Sequence, residues 1–468
     1  MIKIKTEKIK SKIVGLTDQQ YNDVTKLLTV WNPNRFFMPR FKNKQWDGKE
    51  RFYTIEGNTL VVWTGLLYIV ENYLKLNNID YTEPFSVTDI PQRIDNLKGM
   101  TYKPHQLHAI QRMIKQKRGI LQAPTGSGKT EIALGYMNHM LKYLGGSGLI
   151  ITHRRPLYEG KGSIYERIQQ RFDIVDRIRY DGITGYKISS GLRLFLAMGQ
   201  SLVNDIALGM DDESFCKVLD SVRVCFSDEV HAVETYSRKF GKKKVNILHE
   251  LPNCYHIWGM SATPVKPELL DQFHTIKHFG EILNIDYDSG LPITIHMKTI
   301  KYLTKAEEYD DAISYLHENT CRIQSIKNAI SAFGQRKAII FVNKIEYGET
   351  LSRELNLPFI FGESKKSERD SVIQDFNENK IDAFISSRIL NFGVDIPVVD
   401  MIVLAEIYKS KINVLQSIGR GTRLSDGKKD LIVVDFFDDD GSYLKKHSKQ
   451  RLEYYKKMSN TTINLYKS

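Results

Sequence analysis

"QAPTGSGKTEIALGYM", residues 122–137, sets two glycines, a lysine and two threonines ahead of an apolar pattern at helical spacing. Within it, "APTGSGKT" (123–130) fits the phosphate-loop pattern, with Ala123 standing where the first glycine usually does. Gly126 and Gly128 allow backbone shapes that other residues resist, so successive N–H groups can turn towards phosphate oxygens. A helix starting near Lys129 adds the positive end of its dipole, and the strand-like "GILQA" (119–123) supplies the preceding element. Pro124, Thr125, Gly126, Ser127 and Gly128 then form the cradle. Lys129 is expected to reach the β- and γ-phosphates of ATP, and the Thr130 hydroxyl to ligate Mg²⁺.

The flanking sequence has the rhythm that such a loop needs. "GLIIT" (148–152), "LRLFLAMG" (192–199), "VRVCFSDE" (222–229) and "YHIWGMSAT" (255–263) alternate with longer helix-like stretches, as in parallel α/β sheets. The rhythm restarts with "KAIIFVN" (337–343), "PFIFG" (358–362), "DAFISS" (382–387), "DMIVLAE" (400–406) and "DLIVVDFF" (430–437). Two parallel sheets are expected, joined by a less regular crossing near 285–305. The basic "YLKKHSKQRLEYYKK" (443–457) reads as a helix packing on the second sheet. Before Gly99 the texture differs. "RFYTIEGNTLVVW" (51–63) reads as a hairpin turning at Glu56, Gly57 and Asn58, and "TGLLYIVENYLKLN" (64–77) as a helix capped by Thr64 with Leu66, Leu67, Val70 and Leu74 on one side. A small separate α+β domain over 1–95 is expected, followed by α/β domains over 96–290 and 291–468.

A chain of 468 residues has room for two to three domains. Its 67 lysines and arginines against 55 acids give a formal charge of +12, which suits a polyanionic partner such as nucleic acid. Cys216, Cys225, Cys254 and Cys321 form no C-x-x-C pair, so reduced core thiols are expected rather than a zinc ribbon or disulfides. The longest apolar stretch, "LVVWTGLLYIV" from Leu60, is too short to span a bilayer, and "MIKIKTEKIKSK" lacks an apolar signal core. A soluble intracellular protein with no membrane partner is expected.

A phosphate loop needs a carboxylate for its metal and a group to aim water. "CFSDEVH" (225–231) supplies both at a strand end: Asp228 to hold Mg²⁺ through its water shell, Glu229 to orient and deprotonate the attacking water. "QSIGRGTR" (416–423) places Arg420 and Arg423 three apart, so both are expected to project from one helix face, where arginine forks suit phosphate oxygens.

These pieces, in this order, resemble a superfamily 2 helicase over roughly residues 100–440. "YKPHQLHAI" (102–110) resembles the adenine-reading Q element, which assigns Gln106. "APTGSGKT" is similar to motif I, "SDEVH" to motif II in its DExH form, and "MSATP" to motif III, with Ser261 and Thr263 coupling hydrolysis to movement. "SSRILNFGVDIP" (386–397) resembles motif V, bringing Gly393 and Asp395 to the nucleotide, and "QSIGRGTR" motif VI. The resemblance implies two RecA-like domains in tandem that clamp ATP, with Arg423 as arginine finger and His231 and Gln416 linking the nucleotide-facing surfaces. It also nominates Thr152 and Arg154 for strand contact, although "ITHRRPL" (151–157) departs from the common P-T-x-x-L form. "AMGQSL" (197–202) is a closer match to the next strand-contacting element and nominates Gln200 and Ser201.

"FFMPRFKNKQWDGKERFY" (36–53) resembles the N-terminal module of phage recombination helicases of the UvsW type, following F-x-P-R-F-[KR]…W-D-G-[KR]. That likeness implies branched DNA: forks, Holliday junctions and displacement loops. Arg40, Lys42, Lys44, Lys49 and Arg51 can pair with phosphates, and Phe37, Phe41 or Trp46 can stack on an exposed base pair, although Phe41 and Trp46 also suit the module's core. The expectation is a monomeric, ATP-dependent DNA helicase or translocase in the host bacterial cytoplasm. It would track single-stranded DNA and have phage recombination or replication proteins as partners. An RNA helicase, a translocase subunit of a restriction-type complex and an ATP-gated binding scaffold remain as alternatives.

Overall fold

A computed structural model describes residues 1–467 apart from 83–89, 125, 153–162, 181–182, 209–212, 231–236, 241–242, 265–267, 289, 303–307, 335, 388–395, 407–409, 424, 426 and 442. The chain divides into two compact units, Met1–Pro124 with Gly128–Asp286, and Tyr287–Ser468 with the short stretch 125–127.

The N-terminal module runs β1 (Lys3–Lys5), β2 (Lys10–Val14), a helix Asp18–Leu27, β3 (Thr29–Trp31), β4 (Lys49–Arg51), β5 (Tyr53–Glu56), β6 (Thr59–Trp63) and a helix Leu67–Leu76. Its antiparallel sheet has the order β1-β2-β6-β5, and β3 pairs with β4. Glu56 opposes Thr59, so Gly57 and Asn58 form the hairpin turn, and Gly57 takes the positive φ of +59° that a tight turn demands. Leu66, Leu67, Val70 and Leu74 are buried as their helical spacing implies. Thr64 does not cap that helix. A 3₁₀ turn, Thr64–Leu66, intervenes, and the Thr64 hydroxyl instead donates to the Glu7 carbonyl at 2.6 Å and lies 2.9 Å from Ser11 Oγ, tying β2 to β6.

This module is α+β in topology but does not keep its core to itself. Its buried apolar residues form one cluster with those of the following domain. Phe52 meets Phe273 at 5.1 Å, Trp63 meets His249 and His278 at 5.9 and 5.5 Å, and Arg118 Nη1 donates to the Lys8 carbonyl at 3.0 Å. Strands of three to five residues enclose too little apolar volume to be stable alone, so the module borrows the Leu269–Phe279 helix as a wall.

The first motor domain continues with the helix Pro104–Gln116, β7 (Gly119–Gln122), the helix Lys129–Leu144, β8 (Ser147–Thr152), the helix Ile164–Arg171, β9 (Ile174–Tyr180), β10 (Ile183–Ile188) and β11 (Arg193–Met198). Helices Gly199–Leu208 and Glu213–Ser221, β12 (Val222–Asp228), β13 (Ser237–Phe240), β14 (Lys243–Asn246), β15 (His256–Ser261), the helix Leu269–Phe279 and β16 (Ile282–Asn284) complete it. The sheet order is β16-β7-β15-β12-β8-β11-β10-β9. Strands β16 to β11 of that order are parallel, but β10 runs antiparallel to both β11 and β9. The sheet is therefore mixed rather than purely parallel.

The second unit holds β17 (Ile293–Lys301), β18 (Ala338–Phe341), β19 (Phe359–Ile360), β20 (Ala383–Ser386), β21 (Met401–Leu404), β22 (Leu431–Asp439) and β23 (Thr461–Tyr466), all parallel, in the order β19-β20-β18-β21-β22-β17-β23. The crossing expected to be irregular contains β17, in which Ile293, Ile295, Met297 and Ile300 are buried between half-buried polar neighbours. The helix Tyr443–Tyr455 does pack on this sheet. It does so through a buried arginine: Arg451 Nε reaches Asp435 Oδ2 at 2.9 Å, its Nη2 donates to the Phe436 carbonyl at 2.7 Å, and the Tyr455 hydroxyl donates to the same carboxylate at 2.7 Å. Cys225 and Cys254 are core thiols, whereas Cys216 and Cys321 are exposed, contrary to expectation.

Gly65 sits where a Cβ would lie 2.4 Å from the Ile276 carbonyl oxygen and 2.5 Å from that of Lys277. Gly65→Ala is expected to cost roughly 1–3 kcal/mol through overpacking. It should lower the urea midpoint of the first unit, and an unchanged midpoint would show that the module is not pressed onto this helix.

Candidate active site

The phosphate loop connects β7 to the Lys129–Leu144 helix. Gly126 and Gly128 take φ of +83° and +82°, and Gly128 caps the helix. A Cβ on Gly128 would also lie 2.1 Å from Gln106 Nε2, so glycine is needed there both for its backbone shape and for room. Gln106 is buried, with its Oε1 accepting from the Lys103 amide at 3.0 Å, which holds its side-chain amide against the loop. Ala123 takes no positive φ, so the loop loses nothing by lacking a glycine there, and its amide donates to the Ser261 carbonyl at 3.2 Å. Lys129 Nζ donates to the carbonyls of Ala123 (2.8 Å) and Pro124 (3.1 Å). Pro124 is exposed, Ser127 is buried and Thr130 is half-buried.

The carboxylates stand at the C-terminal end of β12, one strand removed from the loop because β15 lies between β12 and β7. Asp228 ends the strand. Glu229 follows at φ +48°, a left-handed shape that costs a non-glycine residue about 1–2 kcal/mol. The next residue offsets it: the Val230 amide donates to the Met260 carbonyl at 3.0 Å. The Val230 side chain is fully buried in space that exists because residue 259 is glycine, where a Cβ would meet Val230 Cγ2 at 2.8 Å. Burial, and then the adjacent Glu229 carboxylate, push Asp228 up to about 7, against the pull of Lys129. A crowded acidic pocket of this kind gains most when a cation enters it. The Asp228 carboxylate and the Thr130 hydroxyl offer an all-oxygen donor set, which fits Mg²⁺. Among the described residues no group of three or more His, Cys, Asp or Glu is placed to hold a metal, so such an ion would rely on phosphate and water oxygens for its remaining ligands.

Ser261 ends β15 fully buried, and its Oγ accepts from the Thr263 amide at 3.1 Å, so the motif III turn is braced beside the loop. In the second unit Gln416 and Arg420 are buried on the helix Lys411–Gly421. Arg423 lies beyond it, because the helix ends at Gly421 and is capped at Thr422, whose hydroxyl donates to the Gly419 carbonyl at 3.1 Å. The two arginines therefore do not share a helix face. Lys428, which sequence reasoning missed, closes that end by donating to the carbonyls of Gly421, Val399 and Arg423, the last at 2.9 Å, and burial lowers it to about 8. Also missed was Glu131, buried one residue after Thr130 and ion-paired with Arg167. An acid in the first turn of a helix is the signal that was available.

The strand-contact nominees separate. Gln200 is exposed and Ser201 half-buried in the first turn of Gly199–Leu208, but Thr152 is fully buried at the end of β8 and has no surface to offer nucleic acid. In the N-terminal module Lys42 is exposed, Arg40 pairs with Glu50 at 3.1 Å and lies 3.8 Å from the Trp46 ring, and Lys49 lies over Trp31 at 4.7 Å. Thr125, Arg154, His231, Gly393 and Asp395 lie outside the described residues.

Residues 103–271 match the family model for DEAD/DEAH box helicases and residues 321–425 that for the helicase conserved C-terminal domain, together more than half of the chain. The chain belongs to the superfamily 2 helicases. It is an ATP-hydrolysing, nucleic-acid-engaging motor of that class. It is 23% identical to helicase 22 of a Sulfolobus islandicus filamentous virus, over 88% of this chain and 78% of that protein. It spans about half the length of several other curated relatives. Among solved structures, a fragment of an HsdR subunit of a type I restriction enzyme from Vibrio vulnificus aligns at a TM-score of 0.53 and 19% identity, over 78% of this chain and 68% of that one. Bacteriophage T4 UvsW aligns at a TM-score of 0.42 and 18% identity, over 100% and 99%. No helix among the described residues is long and apolar enough to cross a membrane.

Gly259→Ala tests how this helicase holds Glu229. The added methyl displaces Val230, so ATP turnover is expected to fall about ten-fold or more, in line with the 10²–10⁴ range for a general base, while ATP binding persists. Gly259→Ala/Val230→Ala should recover part of the loss. Equal turnover in all three proteins would show that the Val230 anchor is irrelevant.

Proposed function

We propose that this motor is a DNA helicase or translocase acting on forked and branched DNA, with its N-terminal module engaging the branch. Supporting this reading is an exposed aromatic and cationic patch on that module. Phe37 and Phe36 are 79% and 57% exposed, Arg35 lies 4.3 Å from the Phe36 ring and 4.8 Å from Trp31, and Lys42 stands beside them in sequence. Exposed aromatics interleaved with arginine gain by stacking on unpaired bases, each worth roughly 1–3 kcal/mol, and by pairing with phosphates. Phe41 and Trp46 are half-buried, 6.4 Å apart edge-on, with Trp46 Nε1 donating to the Lys49 carbonyl at 2.8 Å, so they support the patch from below.

In the motor, Gln106 recognises the adenine, and the loop that starts at Pro124, through the amides of residues 125–128, holds the phosphates with Lys129. Thr130 and Asp228 hold Mg²⁺, which when bound neutralises phosphate charge, and Glu229 takes the proton from the attacking water. Arg420 and Arg423 of the second unit neutralise the charge that develops on the transferred group. Gly393 and Asp395 border the nucleotide, and His231, Ser261, Thr263 and Gln416 relay its state. Gln200, Ser201 and Arg154 contact the tracked single strand. The protein would act as a monomer beside phage recombination or replication proteins in the host cytoplasm.

Because the module shares the first domain's core, deleting it would strip Phe273 and Ile276 of their cover. Phe36→Ala/Phe37→Ala is the cleaner probe. Unwinding of forked DNA should fall at least roughly five-fold, as the loss of one or two stacking contacts implies, with single-strand-stimulated ATPase unchanged. Lys129→Ala, by contrast, should lose both activities. If the double variant unwinds forks normally, or if RNA rather than DNA stimulates the ATPase, the branched-DNA reading is wrong.

A further inference from the structure

None of the groups assigned to nucleotide chemistry lies on the helix Ile164–Arg171, yet this helix braces two elements that carry them. Ser163 caps it by accepting from the Glu166 amide at 3.2 Å, and Ile164 and Ile168 are buried. Two arginines one turn apart, and so on one face, make the bracing contacts. Arg167 pairs with Glu131, which is 6% exposed and stands in the first turn of the Lys129–Leu144 helix. Arg171 Nη1 donates to the carbonyls of Lys98 and Gly99 at 3.4 and 3.3 Å, and the Arg171 carbonyl accepts from the Lys98 amide at 3.3 Å. Lys98 and Gly99 lead directly into the Q element. Along the Lys129–Leu144 helix, the glycines on that side meet the same element. A Cβ on Gly128 would lie 2.1 Å from Gln106 Nε2 and 3.4 Å from Glu131 Oε2, so both side chains close around that glycine. One turn beyond Glu131, a Cβ on Gly135 would lie 2.2 Å from the Tyr102 hydroxyl oxygen. Gln106 therefore stands in a slot walled by glycine backbone, and its place depends on how closely the Q element and the phosphate-loop helix approach each other.

We propose that the Arg167–Glu131 pair is a positioning device for base selection: by fixing the phosphate-loop helix against the Q element, it sets where Gln106 meets the adenine. The inference rests on Gln106 being the adenine reader. A buried carboxylate is costly without its partner, so Glu131 keeps its helix where Arg167 stands. Arg171 holds the lead-in to Gln106 from the same short helix, which makes that helix a splint across the two walls of the slot. Adenine offers a glutamine amide one donor and one acceptor, at N6 and N7, whereas guanine offers two acceptors. The difference is steep only while the amide is held in register with the base, because a drifting amide re-pairs with the wrong one. Arg167 acts through Glu131 and is a positioning residue.

The test is steady-state ATPase and GTPase of the full chain, saturated with single-stranded DNA, for Arg167→Met, Arg167→Lys and Glu131→Gln/Arg167→Met. Arg167→Met should raise KM for ATP about ten-fold with kcat held within about two-fold, and leave KM for GTP unchanged. Arg167→Lys keeps the charge and should recover part of the loss. The double variant leaves no buried carboxylate unpaired, so its thermal midpoint should exceed that of Arg167→Met while the preference for ATP over GTP stays lost. That outcome separates positioning from folding. Wild-type preference in the double variant would overturn the proposal, as would equal rises in KM for ATP and GTP. Gln106→Ala is measured beside them. A loss of preference there without one in the Arg167 variants removes this proposal alone, whereas full preference in Gln106→Ala removes the adenine reading beneath it.

Discussion

The balance of charge between Lys129 and the Asp228–Glu229 pair, at the carboxyl end of one sheet, is the constraint on which the first unit depends. Burial makes two adjacent carboxylates expensive, as the raised Asp228 shows, and a lysine alone does not neutralise them. The unit tolerates this because its parallel strands place motif ends side by side. The order β7-β15-β12 brings the phosphate loop, Ser261 and Asp228 to one edge, where the Ser261 carbonyl accepts from Ala123 and the Met260 carbonyl accepts from Val230. Each strained or desolvated group is thus pinned to a neighbouring strand, and a triphosphate with its cation is the species that would relieve the carboxylate repulsion.

A second consequence concerns the N-terminal module. It meets the motor through buried rings and through a glycine against backbone carbonyls, so a load applied to the module passes directly into the helix that follows motif III. That helix, Leu269–Phe279, leads into β16 at the edge of the same sheet. A module joined this way would act as a rigid extension of the first motor domain.

Much of this was legible in the sequence where a local rule decides. The phosphate loop, the hairpin at Gly57 and the buried face of the Leu67–Leu76 helix follow from glycine positions and apolar period alone. What escaped were features set by distant partners. The β9–β10 hairpin lacks the continuous apolar run of a central strand, and β17 is recognisable only once β22 and β23 flank it. Arg423 was placed on a helix that stops two residues earlier, because the stop depends on Lys428 holding the carbonyls of Gly421 and Arg423. Thr64, Thr152 and the shared core show the same limit: a residue's side-chain partner, or its lack of surface, is written in tertiary structure.

The most direct measurement is single-turnover hydrolysis of radiolabelled ATP by Glu229→Gln in the presence of DNA, with binding of the nucleotide measured in parallel. The amide keeps the size and the left-handed turn but removes the base. ATP should bind within a few-fold of wild type while cleavage slows about 10²–10⁴-fold. Cleavage at near wild-type rate would place the water-activating group elsewhere and contradict the account of this site.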